Sequence, residues 1–187
     1  MSKFQVKNAR LSFPSLFHKA VFNGQETKFG ATFLVAKGSA QEKTILEELE
    51  KFKATLDKSK LKGLKITSVV DGDDKEYDGY EGMTALRATN QRRPTVVDKD
   101  RTQLTEEDNR LYAGCYVNAI VEFWFSDHPL GGKQILATLH GVQFYKDGDS
   151  FSDFVASKPE DFDEIDEDED DDEDDESFEY DEEDDDY

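Results

Sequence analysis

Between Glu160 and Tyr187 the chain carries 22 carboxylates in 28 residues and no Lys or Arg. Carboxylates at that density repel one another, and Phe162, Ile165, Phe178, Tyr180 and Tyr187 supply too little apolar surface to offset the entropy of ordering the segment. Residues 159–187 are therefore expected to form a disordered acidic tail. The feature divides the molecule into two objects. All 23 basic residues precede Glu160, where 22 acidic residues face them, so residues 1–158 have a net charge of +1 while the whole chain has −21. A body of that length is one domain and can bury a core of its own.

Hydrophobic period assigns most of that body to strands. Residues 4–13 alternate as a strand. Phe4 and Val6 differ in parity from Leu11 and Phe13, so a bulge or bend is expected near Asn8. A second strand, 28–37, places Phe29, Ala31, Phe33 and Val35 on one face. The period then changes. Ser39 and Glu42 match a capping box, and Ile45, Leu46, Leu49, Phe52 and Leu56 follow at helical spacing, predicting one amphipathic helix over 40–57. A basic stretch, 58–65, runs into a loop at Gly63, a short strand and a Gly/Asp-rich loop fill 66–82, and another strand covers 83–90. Residues 115–125 alternate cleanly, with Cys115, Val117, Ala119, Val121, Phe123 and Phe125 on the apolar face. The turn at 127–132 and the run 133–146 make this a β-hairpin. Antiparallel strands with one helix suggest a small barrel or sandwich, with an OB-like antiparallel β-barrel leading.

Several chemistries fail on spacing. His18, His128 and His140 are far apart and the one cysteine is Cys115, so neither a zinc site nor an internal disulfide is expected. Residues 98–109 start like a calcium loop, but Gln103 stands where the sharp turn requires Gly and Asn109 where a bidentate Glu belongs. Phosphate-binding glycine loops are missing, and no local setting marks a nucleophile. The expectation is a protein that is not an enzyme and needs no cofactor. The N-terminal stretch lacks the apolar run of a signal peptide, and no stretch approaches a membrane span; a cytoplasmic protein is expected.

Positive: basic and aromatic residues interleave through the body. Lys28, Lys58, Lys60, Lys62, Arg87, Arg92 and Arg93 are candidate phosphate contacts, and Tyr112, Tyr116 and Trp124 candidate stacking platforms for unpaired bases. Each has a plainer alternative. The 58–65 lysines can be an ordinary solvated segment, the 88–94 run a surface loop, and Tyr116 and Trp124 can pack; Phe33, Phe123, Phe125 and Phe144 read as core.

The tail suits the same reading. A flexible chain of this length spans roughly 30 Å, about the width of the domain it hangs from. It can lie in a cationic groove in place of a phosphate chain, leave when nucleic acid arrives, and dock on a basic partner through its end. Phe178, Tyr180, Asp184, Asp185, Asp186 and Tyr187 are the candidate partner-binding residues, charge giving attraction and a ring a specific foothold. Rival readings are an acidic DNA mimic or chaperone-type protein acting on a basic partner, and a magnesium-dependent nuclease.

The segments NARLSFPSLF (8–17), LYAGCYVNAIVEFWF (111–125), GGKQI (131–135) and LHGVQFYKDGDSF (139–151) resemble, in order, those of bacteriophage single-stranded DNA-binding proteins. The resemblance implies an OB-type barrel that coats single-stranded DNA in replication, recombination and repair, in the host cytoplasm if phage-encoded. It also implies an acidic tail that recruits polymerase, helicase or primase-type replication proteins. It carries over no catalytic residue. Many members of that family end in Phe; this chain ends in Tyr187.

Overall fold

The computed structural model describes residues 2–151. The strand β1 (Phe4–Ser15) leads to a small hairpin, β2 (Val21–Phe22) and β3 (Gln25–Glu26), and then to β4 (Phe29–Ala36). Helix α1 (Ala40–Ala54) and the one-turn α2 (Lys58–Leu61) precede the short strands β5 (Lys65–Ile66) and β6 (Val69–Asp71). The strands β7 (Met83–Asn90), β8 (Thr95–Val97), β9 (Tyr116–His128) and β10 (Gly132–Lys146) complete the body.

Five long strands close a barrel. β4 pairs with β1 on one side and along its whole length with β7 on the other, from Phe29 opposite Asn90 to Ala36 opposite Met83. β9 pairs with β1 and, as a long hairpin, with β10. The seam closes where β7 meets β10 in parallel at Thr89 and Thr138. Taken in chain order, the barrel strands run around the wall as first, second, third, fifth and fourth, the Greek-key path of an OB-type barrel. β5 and β8 extend β10, and β6 extends β7.

Alternation explains the core. Val117, Ala119, Val121 and Phe123 from β9 meet Phe33, Leu86, Ile135, Leu139 and Phe144, all nearly or fully buried. α1 packs Ile45 and Leu49 onto β1, β4 and β9, with Phe52 6.4 Å from Phe123. Its start is the expected one: Ser39 Oγ accepts the Glu42 N–H, while the Glu42 carboxylate reaches back to the Gly38 N–H rather than to that of Ser39. The helix stops at Ala54, three residues short of expectation, because Thr55 folds its N–H and hydroxyl back onto Phe52 O. Leu46, one residue past the stripe, is exposed.

Strand β1 changes direction twice. Asn8 has φ 52°, where Asn is at ease, and the register against β9 breaks between Val6 and Ala9. The bend expected near Asn8 thus brings Val6, Ala9 and Leu11 to one interior side. Phe13 departs from expectation. A second break between Ser12 and Ser15, with Phe13 at φ 45°, turns its ring out of the barrel, 58% exposed. The tail beginning at residue 159, with Phe178, Tyr180, Asp184, Asp185, Asp186 and Tyr187, lies outside the described residues.

Candidate nucleic-acid interface

An open groove of about 960 Å³ runs along the outer wall of the barrel. Its floor comes from Thr32 on β4, Arg87 and Thr89 on β7, and Gln134 and Leu136 on β10. Gly30 sits opposite Thr89, where a Cβ would lie 2.7 Å from Ala88 O, so glycine is what lets the two strands approach here.

One wall is the β2–β3 hairpin. Asn23 and Gly24 turn it with φ 50° and 75°, the left-handed pair of a two-residue type I′ turn. The base is clamped by Ala20 N–H to Lys28 O at 2.9 Å and Thr27 N–H to Ala20 O at 2.7 Å. Val21, Phe22 and Phe13 remain exposed and line the groove.

Charge in the groove is positive. Lys28 and Arg87 line it, and neither has an ion-pair partner among the described residues; Glu26 is the one carboxylate among the lining residues. Of the seven basic candidates, these two line the same groove, because Lys28 immediately precedes β4 and β4 pairs with β7, which carries Arg87. Arg92 and Arg93 are exposed just past Gln91, which lines the groove. Asn90 holds that turn by accepting the Arg92 N–H, and the Arg93 guanidinium lies over Phe17 at 5.1 Å. Lys58, Lys60 and Lys62 are exposed on α2 and the turn after it. Lys60 sits over Phe125 at 5.4 Å, and Lys133 ties the segment down by donating to Ser59 O at 2.5 Å. β5 then joins β10 with Lys65 opposite Gln134, so the basic segment runs to one edge of the groove.

The three expected platforms separate. Tyr112 packs against the core. Its hydroxyl lies 3.0 Å from both Asp147 Oδ1 and Gly148 O, and it accepts the Gly148 N–H at 3.1 Å. Burial, ahead of the Asp147 carboxylate, pushes the phenol above its ordinary pKa. Tyr116 has the Lys146 ammonium 4.6 Å and the Arg10 guanidinium 5.7 Å from its ring centre. Both rings hold the segment after β10 and stand apart from the groove. Trp124 is half-buried and directly opposite Leu136, on the outer face one strand beyond the floor. Phe13 and Phe22 are groove residues that sequence reasoning missed, and the Asn23-Gly24 pair was the available signal for the hairpin; Gln91, also in the groove, lies within the 88–94 run that the sequence offered.

Several carboxylates of the body serve the fold. Asp71 and Asp73 clamp the Lys37 ammonium, raising its pKa and lowering their own, and Asp73 also accepts the Gly82 N–H at 2.7 Å. In the stretch 98–109, which starts like a calcium loop, Asp100 accepts the Thr102 N–H and Asp108 the Thr105 N–H. Among the described residues no three His, Cys, Asp or Glu side chains cluster as metal ligands, and no helix is long and apolar enough to cross a membrane.

The barrel and its cationic strand face place the molecule among OB-type proteins. Residues 2–175 match the family described as the ssDNA-binding protein of Enterobacter phage Enc34, and the chain belongs to that family. It is 37% identical over 177 residues to protein p50 of Acyrthosiphon pisum secondary endosymbiont phage 1, covering 87% of this chain and 94% of that one. The single-stranded DNA-binding protein of bacteriophage Enc34, solved in complex with ssDNA, superposes with a TM-score of 0.65 at 29% identity, covering 80% of this chain and 89% of that one. The single-stranded DNA-binding protein gp2.5 of bacteriophage T7 shares the fold, with a TM-score of 0.53 at 12% identity over 84% of this chain and 99% of that one.

Proposed function

We propose that the chain binds single-stranded DNA along the groove, without catalysis, and that it coats exposed strands during phage replication, recombination and repair. The observation that carries the reading is the pairing of Lys28 and Arg87, both without ionic partners among the described residues, on the strand-and-hairpin face that OB barrels use for oligonucleotides. The Enc34 relative, solved with ssDNA, supports the same ligand. Lys28 and Arg87 hold phosphates; Arg92, Arg93, Lys58, Lys60 and Lys62 extend the positive track at its edges, and Trp124 offers a ring beside Leu136. Tyr112 and Tyr116, committed to the segment after β10, are not assigned to stacking. Binding of this kind has slight sequence preference and falls steeply with salt.

The acidic tail, residues 159–187, competes with DNA for the groove of the domain 1–158. Through Phe178, Tyr180, Asp184, Asp185, Asp186 and Tyr187 it recruits replication proteins of polymerase, helicase or primase type. Its charge supports both roles: 22 carboxylates are tethered to a body whose Lys28 and Arg87 have no ion-pair partner among the described residues. Titrating a fluorescent oligonucleotide at two salt levels, with the full chain and with a chain ending at Lys158, tests both parts. Tighter binding by the shortened chain is expected. Failure of both forms to bind removes the proposal, and an inert body with an active tail would favour the DNA-mimic reading instead.

A further inference from the structure

Phe13 is held in an uncomfortable place. A β-branched or bulky residue in the left-handed region is a genuine outlier, and such strain gathers at functional sites. Phe13 has φ 45° at a break in β1, and the product of that strain is a large apolar ring 58% exposed to water. The other left-handed residue of β1 is Asn8, for which the conformation is ordinary. Burial therefore does not account for Phe13; the backbone turns the ring away from the core that its neighbours Leu11 and Ser12 enter.

The ring has a built setting. Tyr77, itself 53% exposed, meets it edge to face at 5.0 Å, and Tyr77 in turn meets the buried Tyr80 at 5.2 Å. Tyr80 is anchored through its hydroxyl to Ser12 Oγ at 3.0 Å, one residue before Phe13. Phe13 also lines the groove that contains Lys28 and Arg87. A flat, rigid, solvent-facing ring continuous with a cationic track is what a nucleobase attached to a tracked phosphate chain requires.

We propose that Phe13, backed by Tyr77, is a base-stacking platform of the groove, so that an unpaired base rests on it while Lys28 and Arg87 hold the neighbouring phosphates. This rests on the single-stranded DNA reading above and names a contact within it.

The test uses the full chain and three variants, Phe13→Gly, Phe13→Leu and Lys28→Ala. The probes are a labelled oligothymidylate of about 12 residues, within the span one OB fold occupies, and an abasic strand of equal length. Wild type should prefer the strand with bases. Phe13→Gly should weaken oligothymidylate binding by about 5- to 150-fold, the equivalent of about 1–3 kcal/mol for one stacked base, with little effect on the abasic strand. Phe13→Leu, still apolar but without a ring, should lose the same preference. Neither should change the salt slope, which Lys28→Ala should reduce. Because glycine accepts the left-handed conformation, Phe13→Gly should keep or raise the melting temperature. Equal losses on both strands, no loss, or a marked fall in melting temperature would overturn the platform while leaving the groove reading intact. No binding of either strand by wild type would overturn both.

Discussion

Replacing Lys28 and Arg87 together by alanine should flatten the salt dependence of single-strand binding by a calculable amount. Both side chains are exposed, both line one groove, and neither forms an ion pair among the described residues, so the change leaves the core and its hydrogen bonds in place. Each cation that neutralises a phosphate of a single strand adds about 0.7 to the slope of log affinity against log salt. Two lost contacts should reduce the slope by about 1.4. Between about 50 and 200 mM salt, a fourfold change, wild type should therefore lose roughly 7-fold more affinity than the double variant. The deficit of the variant should shrink by that factor as salt rises. Fluorescence anisotropy at four or five salt concentrations measures it, with Lys43→Ala on the far face of α1 as the control of unchanged slope. A double variant whose slope equals that of wild type, whatever its absolute affinity, refutes the assignment of these two cations to phosphates.

Three further outcomes concern the body. The Thr84 hydroxyl at 2.5 Å, and then the Gly38 N–H, hold the Glu42 carboxyl below its ordinary pKa. Its contribution to stability is present above the ordinary Glu range and lost as pH falls through the lowered value. The melting-temperature gap between wild type and Glu42→Gln should accordingly be widest near neutrality and close in acid; a constant gap contradicts this. At Gly79, with φ 79°, an alanine Cβ would meet the Phe151 ring at 2.1 Å, so Gly79→Ala should lower the melting temperature by roughly 3–10 °C in a scanning assay, from about 1–3 kcal/mol of overpacking. Cys115 is fully buried and burial pushes its thiol up, so an aromatic disulfide reagent should titrate one thiol in denaturant and none in the native protein.

Local patterns gave up much of the fold. The strand 83–90 and the hairpin made by β9 and β10 were readable because their side chains alternate against a buried face, and the start of α1 because Ser39 and Glu42 mark a cap. Even the bend at Asn8 followed from the parity of Val6 and Leu11. Phe13 was misread by the same rule: parity assumes an extended backbone, and a left-handed residue breaks it. The β2–β3 hairpin has two-residue strands, too short for any period to register. Among seven basic candidates, nothing local separates Lys28 and Arg87 from Lys58 or Arg93. Likewise Tyr112 and Trp124 look alike in sequence, although one is bound by the segment after β10 and the other stands one strand beyond the groove floor.

Charge distribution, strand and helix periods and the absence of metal-ligand spacing are relations between near neighbours along the chain, so the sequence alone settled them: a near-neutral, strand-rich body followed by a polyanion. Which cations face the same water, and which rings remain outside, depends on pairings between distant segments. β4 lies against β7, β10 closes onto β7, and a strained turn in β1 points Phe13 outward. Those are consequences of packing one closed core, where each of the five barrel strands has another barrel strand on either side and every residue must choose a face. The groove exists only after that choice is made.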